Sequence, residues 1–315
     1  MVRQLRSPAL LALALTVLLW ASAFPAIRVG LAGLGVGGLS FLRLAVASVA
    51  LALLAPVLKI RRPAAKDLPL IGLCGASGMA AYQLLLNWGE VHVPAGTASL
   101  LVAIAPVFSV LLAAAFLGEK PRTRTVLGSV VAIAGAAVIA IASGATGVSA
   151  SALVVLAAAL VQGIYHFASK PLLARYTGME VACYAIWTGT VLVLPFAPDT
   201  IGRLAQVPGS AIGAAVYLGL LPSALGFVVW GYAVARFSVA GATAALYLVP
   251  PVTLIVAFAW LGEIPRPIEL LGGLISIAGV ILINSRAGQL KRAYMNMSRR
   301  SPSTSCQPRN SPSRS

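Results

Sequence analysis

Two pairs of polar side chains stand four residues apart inside otherwise apolar stretches: Gln83 with Asn87, and Gln162 with His166. In a helix that spacing puts both members on one face. Amides both donate and accept, and an imidazole changes charge near neutral pH. Such faces suit recognition of a small polar solute and, at His166, proton coupling. Hydrogen bonding between packed helices is the plainer alternative for either pair. Tyr82 borders the first pair. Arg28 and Arg43 lie in the outer parts of two apolar runs; they either snorkel to the interface or, at Arg43, turn inward to meet an anionic group. Trp20, Phe24, Trp230, Tyr232 and Tyr247 offer an aromatic wall, and a mostly apolar cavity with a few amides fits a zwitterionic or amphipathic solute. Pro106 and the pair Pro250-Pro251 interrupt apolar runs near their middles and are the gating candidates.

Other chemistry lacks its residues. The seven acids (Asp67, Glu90, Glu119, Glu180, Asp199, Glu263 and Glu269) all fall in gaps or at the ends of apolar runs, which argues against a buried carboxylate relay. No GxxxxGK[ST] sequence exists to hold ATP. Cys74, Cys183 and Cys306 have no metal spacing and are odd in number, so free thiols are expected. Without a convergent nucleophile, acid or metal cluster, neither an enzyme nor a cofactor is expected.

The elements that must position these residues follow from composition. Of 315 residues, 59% are hydrophobic and 10% charged, and the mean hydropathy is +0.95. A soluble domain carries about 25% charged residues. Lipid is therefore the main solvent. Ten apolar runs reach spanning length: 8–29, 38–58, 68–89, 95–117, 124–143, 150–170, 179–197, 210–234, 239–261 and 268–285. The fold class is an all-α integral membrane protein. Ala21-Ser22-Ala23 fits a signal-peptide cleavage site, but the apolar run continues to Val29, so the first segment reads as an uncleaved helix. Residues 286–315 hold seven basic residues and no acid, and read as a disordered cytoplasmic tail.

The net charge of +16 does not indicate nucleic acid, because the cations occupy short gaps between apolar runs. With the N-terminus inside, 19 of the 23 basic residues fall on the inner side and two, Arg203 and Arg266, outside. That is a strong positive-inside bias, with both termini cytoplasmic. The chain also repeats. FLGEKPRTRTVLGSVVAIAG (116–135) matches WLGEIPRPIELLGGLISIAG (260–279) at an offset of 144, and Pro106 matches Pro250. A weaker match at 142 pairs Trp20, Phe24 and Arg28 with Gln162, His166 and Lys170. The repeats read as 8–143 and 150–285, five spans each. Five is odd, so the second enters the membrane the other way up, as in many secondary transporters.

WASAFPAIRVG, FLRLAVAS and the twice-repeated APV/VPP…LGE-x-P…G…AG pattern resemble the EamA family of the drug/metabolite transporter superfamily. The resemblance covers about 8–285. It implies ten helices in two EamA repeats, a plasma-membrane or inner-membrane location, and export or exchange of small metabolites, often amino acids. The expected partners are a small-molecule substrate and the lipid bilayer. Gly72, Gly75 and Gly78, with Gly272, Gly273 and Gly279, allow close helix contact and a homodimer. A channel or a non-transport membrane protein is the alternative; no filter motif or ring of charge supports a channel.

Overall fold

The computed structural model describes residues 6–117, 123–142, 149–234 and 245–284. The expectations placed on Glu119, Cys306 and the basic segment 286–315 lie outside those residues. Every regular element among the described residues is helical, and seven stretches are long and apolar enough to cross a membrane. Two shorter apolar helices lie at Leu246–Leu261 and Pro267–Leu282.

The first helix, α1 (Arg6–Leu54), has 49 residues. At 1.5 Å per residue it is about twice as long as a hydrocarbon core is thick. It breaks at Gly35, whose φ of 64° and ψ of −178° suit only a residue without Cβ. That break falls between the first two apolar runs. Next come α2 (Leu68–Gly75), a π turn (Ala76–Ala81) and α3 (Tyr82–Glu90), in one spanning stretch. The π turn brings Gly78 against Tyr165, where a Cβ would collide with the ring.

After α4 (Ala95–Val102) the chain breaks and restarts as α5 (Ala105–Leu117), followed by α6 (Thr123–Ala142) and α7 (Ala150–Leu172). The segment after α8 (Gly178–Val193) continues through α9 (Ala197–Arg203). Then α10 (Gly209–Leu218) joins α11 (Gly226–Val234) through a second π turn, Gly219–Leu225. Last are α12 (Val249–Leu261) and α13 (Pro267–Asn284). The gating prolines differ from the sequence expectation. Pro106 is the second residue of α5, and Pro250 and Pro251 fall in the first turn of α12. A proline lacks the N–H that a first turn leaves unbonded anyway, so it begins a helix where it would break a helix interior.

Close crossings lock the bundle. A Cβ on Gly135 of α6 would lie 2.5 Å from the Gly272 carbonyl oxygen of α13, and one on Gly279 would lie 2.6 Å from that of Gly128. As the position rises along one helix it falls along the other, so α6 and α13 run antiparallel. Gly75 meets Thr188 and Gly189 in the same manner, and Gly273 meets Leu100, whereas Gly72 has open space around it. Cys74 and Cys183 are free and buried. Leu53, Val130, Ile255, Phe258 and Leu274 point outward and exposed, as side chains solvated by lipid do.

Charged clusters tie the ends. Beyond Leu54, Arg61 donates to both carboxylate oxygens of Glu180 (2.7 and 2.9 Å), and Arg175 pairs with Asp67 at 2.7 Å. Glu180 also closes a capping box with Thr177 at the start of α8. Near Gly35, Arg28 pairs with Glu263 at 3.4 Å, and Glu263 accepts from the Ala95 amide at 2.8 Å. Glu263 thus caps α4, in the other repeat, while Glu269 accepts from the Arg266 amide at the head of α13. The first amides of a helix have no partner within it and take such side-chain acceptors.

Candidate functional site

The second half of α1 carries Ser40 and Arg43, three apart and on one face, and α3 carries Gln83 and Asn87 opposite them. Arg43 Nη1 donates to Gln83 Oε1 at 3.0 Å, and Asn87 Nδ2 donates to Ser40 Oγ at 2.9 Å. Arg43 Nε reaches Ser223 Oγ, in the π turn of the second repeat, at 3.0 Å. Arg43, Gln83 and Asn87 are all buried. The guanidinium therefore faces the bundle and does not snorkel. Its hydrogen-bonding partners among the described residues are neutral, so an anionic group is the natural complement to its charge.

The residue before Ser223 holds the aromatic wall. Trp20 Nε1 donates to the Pro222 carbonyl at 3.1 Å. The Trp20 ring lies 5.5 Å from both Phe227 and Trp230. A π turn widens the helix by one residue and turns carbonyls and side chains out of register, and this one anchors Trp20 and Arg43 on consecutive residues. Phe24 is buried in the core one turn further along α1, with Tyr82 and Tyr247 packed at the edge of that core. Thr253 of α12 donates to the Ala21 carbonyl beside Trp20 at 3.2 Å.

Gln162 and His166 form a separate patch. They share the face of α7 that buries Val155 and Ala159, yet His166 is exposed and Gln162 half-buried. The His166 ring lies 5.7 Å from that of Tyr165. Gln162 Oε1 has no hydrogen-bond partner among the described residues. No hydrogen bond among the described residues joins this pair to the Arg43 group. Of the proline candidates, Pro250 is buried, Pro106 half-buried and Pro251 exposed.

Sequence reasoning did not single out Ser40, Ser223 or Phe227. Ser40 was findable by its spacing from Arg43; Ser223 and Phe227 carry no local signal. Glu90 was placed at a helix end. It does end α3, but Arg28 reaches over to donate to the Glu90 backbone carbonyl, and the Glu90 side chain is 0% exposed. Among the described residues no group of three or more His, Cys, Asp or Glu could hold a metal ion.

The family described as EamA-like transporter matches residues 7–141 and again 149–285. A probable terminal-alkyne amino-acid exporter of Streptantibioticus cattleyicolor is 66% identical over 93% of this chain and 99% of that protein. The uncharacterized transporter YdfC of Bacillus subtilis is 37% identical over 88% of this chain and 91% of its own. A probable amino-acid metabolite efflux pump of Salmonella typhimurium is 25% identical over 85% and 92%. One solved crystal structure shares the fold with a TM-score of 0.59 at 19% identity, covering 91% of this chain and 99% of that one.

Proposed function

From the premise that this chain belongs to the EamA-like transporter family, with a two-repeat helical architecture, we propose that it exports a small amino acid or amino-acid metabolite by alternating access. The carrying observation is the junction at Pro222 and Ser223. There a buried guanidinium and an indole are held side by side, between helices of both repeats. Arg43 receives the solute carboxylate, and Gln83 and Asn87 orient it. Trp20, Phe24, Trp230, Tyr82 and Tyr247 surround the side chain. The name of the 66% identical relative extends the cargo class to amino acids with an unsaturated side chain, which suits aromatic walls. Gln162 and His166 border the entry path, and the breaks before Pro106 and Pro250 are the gates.

Ten crossings follow if Gly35 divides α1 into two spans and the two shorter apolar helices each cross. The antiparallel contact of α6 with α13 supports repeats of opposite orientation. Positive-inside charge puts both termini in the cytoplasm of a cell whose plasma membrane is the bacterial inner membrane.

Reconstituted vesicles test the reading. Saturable counterflow is expected for at least one amino acid in a panel that includes terminal-alkyne side chains. Trp20→Ala and Gln83→Ala are expected to abolish it at unchanged protein content. No flux across the whole panel would sink the proposal.

A further inference from the structure

We propose that Glu90 is a proton-binding residue of this carrier, holding one proton while the Arg28 end is shut and releasing it when that end opens. The inference rests on the alternating-access reading above, and it is carried by the surroundings of one side chain. Glu90 is 0% exposed, and among the described residues neither carboxyl oxygen has a hydrogen-bond partner. One turn earlier on the same face, Asn87 Oδ1 is also buried without a partner among the described residues. Three buried acceptor oxygens on this face thus find no donor among the described residues. An anion in that position would carry a large uncompensated desolvation cost. A proton on Glu90 removes the charge and furnishes an O–H donor on a face that carries unpartnered acceptors.

The charges around it complete the argument. From α1, Arg28 Nε pairs with Glu263 at 3.4 Å while its Nη1 bonds the Glu90 backbone carbonyl and not the carboxylate. Arg43, also from α1, is committed to Gln83 and Ser223. The α12–α13 turn contributes Glu263, and α3 itself contributes Tyr82. At Gly89, α7 presents Val155 and the Ser151 backbone. Thr97 of α4 donates to Glu269. His92 is exposed beyond the helix end, against Trp88. Two cations, Arg28 and Arg43, therefore act on Glu90, but Glu263 has taken the first and the second is turned to Gln83 and Ser223. When the α12–α13 turn moves away, Arg28 loses Glu263 and water reaches the end of α3. Glu90 then releases its proton to that water and Arg28 becomes its counter-ion. By linkage, protons on that side favour the shut state.

The full chain in phosphatidylethanolamine–phosphatidylglycerol vesicles, read by infrared spectroscopy, tests this directly. A protonated-carboxyl C=O band is expected at pH 7 and should be lost in Glu90→Gln. It should also be lost in Glu263→Gln, which frees Arg28 to ionise Glu90. A wild-type protein without the band at pH 7, or a band unchanged in Glu90→Gln, overturns the proposal. In counterflow, Glu90→Gln should still exchange solute but lose the wild-type response to pH on the Arg28 side; an unaltered response overturns it equally. The band reports Glu90 whether or not a solute moves, so failure of the transport reading is read separately.

Discussion

The hydroxyl of Ser276 donates to the backbone carbonyl of Ala132, 144 positions earlier, across 3.1 Å. That separation equals the offset between the repeats, so each residue is the other's counterpart. On either side of it, Gly135 meets Gly272 and Gly279 meets Gly128, and these pairs exchange under the same offset. A contact that maps onto itself is the mark of a two-fold relation.

This crossing has no room to give. Gly135→Val is expected to lose folded protein, because its Cβ alone would lie 2.5 Å from a backbone carbonyl. Overpacking of this kind costs about 1–3 kcal/mol or more. Gly213→Ala, at a helical glycine with nothing within 4 Å, is the control and should not lower the melting temperature.

Gly35→Ala should lower thermal stability through the backbone alone. Nothing lies within 4 Å of its added methyl, but φ of 64° with ψ of −178° costs a residue with Cβ about 1–3 kcal/mol. Thermal unfolding in detergent reads the loss. An unchanged midpoint would mean that α1 straightens or bends elsewhere.

Gln83→Ala strands a buried guanidinium nitrogen, at a cost of about 1–3 kcal/mol. Ser223→Ala does the same to Nε. The double variant should cost less than the two losses added, since both act on Arg43. Arg43→Lys should keep the protein in the membrane and abolish export, because an ammonium cannot reach Gln83 and Ser223 in the planar geometry of the fork.

At the Arg61 end, the two partners are unequal. Glu180 is buried and serves Arg61, Thr177 and the amide of Thr177 together. Arg61 is 60% exposed. Glu180→Ala should therefore lower the melting temperature clearly more than Arg61→Ala. Thr177→Ala should fall between them, with the roughly 0.5–2 kcal/mol of a lost N-cap.

The face of Gln83 and Asn87 was legible because helical spacing is a local rule, and Arg43 because an arginine inside an apolar run has few tolerable environments. The Gly35 break was legible as a glycine-rich gap. The prolines were not: a proline in an apolar run marks a break, yet nothing local tells a kink from a helix start. Glu90 was misread for a related reason. An acid at the end of an apolar run normally reaches water, and here Arg28, 62 positions away, reaches over that end.

Composition, periodicity and the 144-residue repeat by themselves determined a lipid-embedded helical protein of two related halves, because desolvation of backbone and side chains is a property of each segment. The tertiary structure alone decided which polar atoms find partners. It put Trp20 and Arg43 on adjacent residues of one π turn 180 or more positions distant, and it left the carboxyl group of Glu90 with none among the described residues. Hydrogen bonding is a relation between two atoms at a given distance, and in this chain those distances are set by helices that meet only after folding.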